Sequence, residues 1–449
     1  MLTLSDSMMM RFWLFTCLIF KPKLTNQILR PTIQINYSLN LSKWLYFFIF
    51  EDMTALSNRI HALAESQTIK MAKMGRDLAA KGIDIINLSF GEPDFNTPDY
   101  IKDEAKKALD NNFTFYTPVA GYPELRKAIT EKLRVDNNLS YDSDQIVVTT
   151  GAKQALANAL LCLVNPGDEV LIPTPYWVSY SEMVKLAEGT SVFISTTVEQ
   201  NFKITAQQLE QAITPKTKVF MFSSPCNPTG SVYSYEELAE LAKVFEKYPE
   251  IYILSDEIYE HINFGDKHQS IAQFASLKER VILINGFSKA FAMTGWRLGY
   301  LAASKEIAQA CDKMQGQITS GTCSIAQRAG IAACEGGLES VLKMKAAFLK
   351  RRDLVYGLLK TIPGIKTNLP NGAFYFFPDV SSYFGKSANG EKIKDALDLS
   401  LYLLNEAHVA LVSGDAFGDP NSIRISYAAS EEKLSEAMKR IATALAKLV

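Results

Sequence analysis

Seven short, almost wholly apolar runs constrain this chain more than any other feature. They read QIVVTT (145–150), VLIP (170–173), SVFIS (191–195), VFMFSS (219–224), IYILSD (251–256), VILIN (281–285) and LGYLAA (298–303), bounded by Pro, Gly, Asn and Asp. Runs this short and this rich in β-branched and aromatic residues read as strands. Their near-continuous apolarity suits parallel strands buried on both faces. Helical patterns lie between them. AKQALANALLCLV follows Gly151, a helix opens at Thr205 with Gln208 three residues on, and another opens at Ser234 with Glu237. The last two are capping-box spacings. The alternation predicts an α/β fold whose mostly parallel sheet is flanked by helices.

From about residue 338 the pattern changes. A helical stretch over 338–361 leads to AFYFFPD (373–379), a helix near 395–407, SIRISYA (422–428) and the amphipathic segment EEKLSEAMKRIATALAKLV. This predicts a smaller α+β domain, joined by an N-terminal helix around 57–82. A chain of 449 residues exceeds one compact core. The expected division is a large domain over 99–337 and a small one made of 53–98 and 338–449.

Composition removes several function classes. The net charge is −1, with both signs mixed along the chain, so no nucleic-acid footprint exists. The six cysteines, Cys17, Cys162, Cys226, Cys311, Cys323 and Cys334, show no CxxC spacing and read as reduced thiols of a cytoplasmic protein. The four histidines, His61, His261, His268 and His408, do not pair at ligand spacing, which argues against a metal site or a histidine-based triad. Residues 1–52 differ from the rest. FWLFTCLIF (12–20) is too short to span a bilayer, and KPKLTNQ follows it where a signal peptide needs a small-residue cleavage site. The segment reads as an extension ahead of a true start at Met53, with a membrane anchor as the alternative; no membrane partner is expected.

The chemistry lies at the strand exits. TTGAKQA (149–155) sets Gly151 at a strand-to-helix turn, which is either structural punctuation or a phosphate cradle of N–H groups. SSPCNPTG (223–230) is a stiff turn where α/β ligands sit. Asp256 ends IYILSD with Tyr259 one turn on, either as a helix cap or as a site carboxylate. Lys289, in GFSKAFAMTGWRLGY (286–300), is either a solvated lysine or an amine kept for covalent chemistry. Taken together, four strand ends supply a phosphate turn, an amide, a carboxylate with a phenol, and an amine with an arginine. A phosphorylated aromatic aldehyde uses all of these.

At this point the chain resembles a known family. GEPDF, YTPVAGYPELR, PYWVSY, SPCNPTG, SDEIYE, SKAFAMTGWRLGY and RISYA occur in the order of the class I pyridoxal-phosphate aminotransferases, over essentially all of 57–449. The chain is most similar to the bacterial aspartate aminotransferases. The resemblance implies the PLP-dependent transferase fold type I and pyridoxal 5′-phosphate as cofactor. It also implies a homodimer with shared active sites, small amino and oxo acids as partners, and transfer from L-aspartate to 2-oxoglutarate.

Carried over by residue, Lys289 would be the Schiff-base lysine and proton shuttle. Asp256 would hold the pyridinium proton, and Tyr259 and Asn227 the ring oxygen. Arg297, Gly151 and Ala152 would take the phosphate, and Trp177 would stack on the ring. Tyr116 would reach the phosphate of the neighbouring subunit. Arg424 and Gly91 would bind the substrate α-carboxylate, and Asn227 and Trp177 would also border the substrate. Lys153, with Thr68 and Ser66, would meet the distal carboxylate.

Two positions depart from relatives. Gly286 stands where many have a phosphate-binding serine, with Ser288 beside the lysine instead. Ala64 stands where some have a lysine linked to prephenate use. The open alternatives are another substrate (aromatic amino acids, prephenate or alanine) and a non-catalytic cofactor-binding regulator.

Overall fold

All seven apolar runs are strands of one sheet in the computed structural model, which describes residues 56–449 apart from Ser66 and Asn389. The extension at 1–52, with its proposed start at Met53, lies outside the described residues. A two-residue strand, β1 (Ile86–Asn87), precedes the main sheet. The sheet contains β2 (Ile146–Thr149), β3 (Glu169–Pro173), β4 (Thr190–Ile194), β5 (Thr217–Ser223), β6 (Tyr252–Asp256), β7 (Val281–Gly286) and β8 (Gly299–Ala302). Their order is β2-β8-β7-β6-β5-β3-β4.

The sheet buries both faces, as the unbroken apolarity requires. Along β5, Val219 and Met221 join one hydrophobic core while Phe220 and Phe222 join the other. Parallel pairing runs from β7 through β6, β5 and β3 to β4. LGYLAA corrects the parallel expectation. β8 is antiparallel to both β2 and β7, because a strand covered on both faces is apolar whichever way it runs.

At the end of β7 and the start of β8, Gly286 faces Gly299. A Cβ on Gly286 would sit 2.8 Å from the Gly299 Cα, and one on Gly299 would sit 2.5 Å from the Ala152 nitrogen. The missing side chains let three backbone segments meet where the cavity begins.

Both expected capping boxes form. Thr205 caps the helix Ala206–Ala212 and Ser234 caps Tyr235–Phe245. The helix expected around 57–82 is instead two, Asn58–Ala62 and Gln67–Ala80. The chain leaves helical geometry between them, where the Ala64 N–H bonds the Glu182 carboxylate at 2.7 Å.

A second core gathers around the helices Glu339–Leu359, Ala396–Glu406 and Glu431–Leu445. Its strands are β9 (Tyr375–Phe376), the hairpin β10 (Ser387–Ala388) and β11 (Glu391–Lys392), then β12 (Val409–Ala410), β13 (Val412–Ser413) and β14 (Ile423–Ser426). β14 lies between β13 and β9, while β1 pairs with β12 and so ties the N-terminal segment to this part. Residues Asn58–Val449 form one compact unit.

Candidate active site

A cavity of about 240 Å³ opens at the carboxyl ends of the parallel strands. Its lining carries four cationic side chains, Lys153, Lys289, Arg297 and Arg424, against one carboxylate, Asp256. Among the described residues none of the four cations has an ion-pair partner. Such a site selects anions and offers its single carboxylate to one cationic or N–H group.

Asp256 ends β6 and is 5% exposed. Its Oδ2 accepts from the Tyr180 hydroxyl at 2.8 Å and its Oδ1 from the Ile258 N–H at 3.3 Å. Burial, opposed by these hydrogen bonds, pushes the carboxyl up to about 6. Lys289 enters three residues beyond β7. Its Nζ donates to the Gly91 carbonyl and stands 5.7 and 5.9 Å from the Tyr259 and Phe374 ring centres. Its immediate neighbours are therefore aromatic faces, not only the small residues adjacent in sequence. Burial, then the charge of Arg424, pulls the amine down to about 8.

Opposite the lysine, Arg424 projects from β14 and is 2% exposed. Nη1 donates to Asn227 Oδ1 at 3.0 Å and Nη2 to the Ser89 carbonyl at 2.6 Å, while Nε has no partner among the described residues. The guanidinium lies 4.6 Å from the Tyr375 ring and 4.9 Å from that of Phe417. A buried guanidinium with neutral neighbours and an unused N–H is built for a carboxylate fork. Tyr259 and Tyr375 meet hydroxyl to hydroxyl at 2.8 Å, and burial raises both phenols.

The third side is the start of the helix Ala152–Leu163. Gly151 precedes it at φ +80°, and a Cβ there would lie 2.4 Å from Arg297 Nη2. The Arg297 Nη1 is held by the Thr294 carbonyl at 2.8 Å, which leaves the other edge of the guanidinium over the helix N-terminus. Two positive features converge there. Lys153 lies 4.9 Å from the Trp177 ring, and burial, then Arg297, lowers its amine. Trp177 in turn packs edge-on against Tyr180.

The cavity thus gathers Lys289, Tyr259, Asp256, Asn227, Trp177, Arg297, Ala152, Arg424, Gly91, Lys153 and Thr68, with Gly151 directly behind Arg297. Among the described residues, one expected residue is not in it. Tyr116 is 96% exposed and outside the lining, and Ser66 lies outside the described residues. Two others were missed. Tyr180 sits in the quoted PYWVSY and Tyr375 in the quoted AFYFFPD, and the sequence gives neither a role. Gly286 is explained by its backbone contacts, and Ser288 lines the cavity in its place.

An α/β fold with an amine, a carboxylate and two anion-binding ends at its strand exits defines an enzyme for small anionic substrates. The chain belongs to the class I and II aminotransferases, whose family model matches residues 83–441. It is 48% identical to an aspartate/prephenate aminotransferase of Cereibacter sphaeroides, covering 87% of this chain and 98% of that one. The aspartate aminotransferase of Rhizobium meliloti has a similar structure, with TM-score 0.85 and 42% identity over 88% of this chain and all of that one. The Thermus thermophilus aspartate aminotransferase with maleate gives TM-score 0.82 and 39% identity, over 87% of this chain and 99% of that one. Among the described residues, no helix is long and apolar enough to cross a membrane.

Proposed function

We propose that this aminotransferase uses pyridoxal 5′-phosphate to move the amino group of L-aspartate to 2-oxoglutarate, as a cytoplasmic homodimer. The observation that carries the reading is the cavity's charge, three further cations and one carboxylate around a Lys289 amine already lowered to about 8. The residues fit the cofactor. Asp256 is a buried carboxyl whose raised affinity for a proton suits a ring N–H. Arg297 and the helix N-terminus suit a phosphate, and the Trp177 and Tyr259 rings suit an aromatic plane.

Bound there, the cofactor supplies an aldehyde for amines and a ring that accepts the electron pair left at the substrate α-carbon. Each protein group then has one task. Lys289 Nζ, whose neutral form burial brings within reach of physiological pH, takes the proton from the α-carbon and returns it on the other side of the transfer. Asp256 holds the ring proton, kept in line by the Tyr180 hydroxyl. Tyr259 and Asn227 face the ring oxygen. Arg424 and the Gly91 N–H fix the α-carboxylate, so that the Cα–H bond points at Lys289. Lys153 and Thr68 meet the distal carboxylate; the Thr68 hydroxyl is buried without a partner among the described residues. The maleate named with the Thermus thermophilus relative is a dicarboxylate, in keeping with a cationic group at each end.

The dimer reading is supported by the Phe115 and Tyr116 side chains, 81% and 96% exposed. The reduced, cytoplasmic setting is supported by five free cysteines among the described residues. We read 99–337 as one domain and 53–98 with 338–449 as another, which closes to exclude water.

The test is reconstitution followed by borohydride reduction, which should place the label on Lys289. A donor panel with 2-oxoglutarate should then rank aspartate first. A label elsewhere, or none, sinks the proposal. A second reading, prephenate as an acceptor, is favoured by the name of the Cereibacter sphaeroides relative. Adding prephenate to the panel decides it.

A further inference from the structure

Two buried carboxylates face away from the cavity on the turn that carries Asp256 and Tyr259. Glu257 follows the first and Glu260 the second, at 1% and 6% exposure. Asp256 and Tyr259 line the cavity; their acidic neighbours do not. The Glu257 N–H bonds the Ile284 carbonyl of β7 at 2.8 Å, and the Glu260 N–H bonds the Glu257 carbonyl at 2.9 Å.

Both side chains are fully partnered behind the turn. Glu257 Oε1 accepts from the Ser255 and Ser270 hydroxyls at 2.9 and 2.6 Å, and Oε2 lies 2.9 Å from His268 Nε2. Glu260 Oε1 pairs with Lys132 and lies 3.3 Å from His261 Nε2, while Oε2 accepts from Asn137 at 2.7 Å. Burial alone would raise the Glu260 carboxyl. Lys132 and the two imidazoles overcome that and hold it far below the usual range. Atoms of Glu257, Glu260 and His268 approach within 4.8 Å of one another, a spacing a divalent cation could use. The Lys132 ammonium already supplies the positive charge there.

A buried, ionised carboxylate tolerates little displacement, because leaving its partners would strand an uncompensated buried charge. Glu260 is one such anchor, and Glu257, three residues earlier and held by two hydroxyls and an imidazole, is a second fixed point; together they hold the turn between them. We infer that Glu257 and Glu260 are positioning residues for the transamination, holding Asp256 and Tyr259 from behind. The inference rests on the proposed reading that Asp256 meets the cofactor's ring nitrogen and Tyr259 its ring oxygen.

The test compares dissociation constants of pyridoxal 5′-phosphate and two analogues. One has its ring nitrogen replaced by C–H, and the other lacks the ring hydroxyl. Each is titrated into wild type, Glu257→Gln and Glu260→Gln, with the folded fraction measured by circular dichroism. Glu257→Gln should weaken the cofactor about tenfold and leave the nitrogen-free analogue unchanged. Glu260→Gln should act likewise, sparing the analogue without the hydroxyl. Where a glutamine variant does not fold, His268→Gln or Asn137→Ala removes one partner of the same carboxylate and is read the same way. Equal weakening of all three ligands, or none, overturns the inference. A wild type that binds the nitrogen-free analogue as well as the cofactor removes instead the reading of Asp256 on which it rests.

Discussion

Lys289 and Asp256 show how burial, as the largest cause, prepares two residues for opposite tasks. Desolvation disfavours charge, so it lowers the amine to about 8 and raises the carboxyl to about 6. The amine is therefore half neutral near pH 8. Capture of pyridoxal 5′-phosphate by the cofactor-free protein should accelerate as pH rises and level off above 8, where an ordinary lysine would keep accelerating past about pH 10. Stopped-flow absorbance across that range is the check, with Lys289→Arg silent. Tyr180→Phe removes the only side-chain hydroxyl on Asp256 among the described residues. It should lower kcat/KM about tenfold, the worth of one hydrogen bond to a charged group. Arg424→Lys keeps the charge but loses the fork. It should raise KM for dicarboxylates and lower kcat/KM about 100-fold, measured by coupled assay. The residues legible without the family resemblance were those at strand exits, where local sequence announces an unusual group. Those missed owe their roles to distant partners. Tyr180 lies 76 residues from Asp256, and Tyr375 lies 116 from Tyr259. No local pattern encodes such a meeting.

At the scale of elements, the strands and capped helices were legible because their causes are local. A run buried on both faces must be apolar, and a helix start must satisfy its free N–H groups. The parallel direction of β3 to β7 was legible from their apolarity, but that of β8 was not, and it runs against its neighbours. Its glycine contact yields a test. Gly286→Ser would restore the residue many relatives have, yet would press a Cβ to 2.8 Å from the Gly299 backbone. The thermal midpoint should fall by more than about 5 °C. Gly151→Ala meets a movable side chain rather than backbone, but in a left-handed conformation. It should cost about 1 kcal/mol of stability and weaken the cofactor by displacing Arg297.

For the whole molecule, the proposed dimer makes a prediction that a monomer cannot satisfy. If Tyr116 completes the partner's phosphate site, Tyr116→Ala and Lys289→Ala chains each assemble defective sites when alone. Mixed, they should regain activity, because a hybrid dimer puts both substitutions in one site and leaves the other intact. Activity of the refolded mixture against each parent measures it, and no gain on mixing removes the shared site. The extreme exposure of Tyr116 in one chain is what such an arrangement requires. Domain division was read from a change of pattern near residue 338, whereas the cross-links that join the segments are long-range. β1 meets β12 across more than three hundred residues of chain, and Arg424 spans 197 residues to Asn227.

The resting place of the Lys289 amine carries one more consequence. Its proton donor bond goes to the Gly91 carbonyl, at the tip of a stretch moored at its base by Leu88 to Ala410 and Ser426. An amine that goes on to react must first let go of that carbonyl. Loading the enzyme therefore casts off one line from residues 89–91 while the moorings at Leu88 stay fast. Faster amide hydrogen exchange at the tip than at the base would register that release.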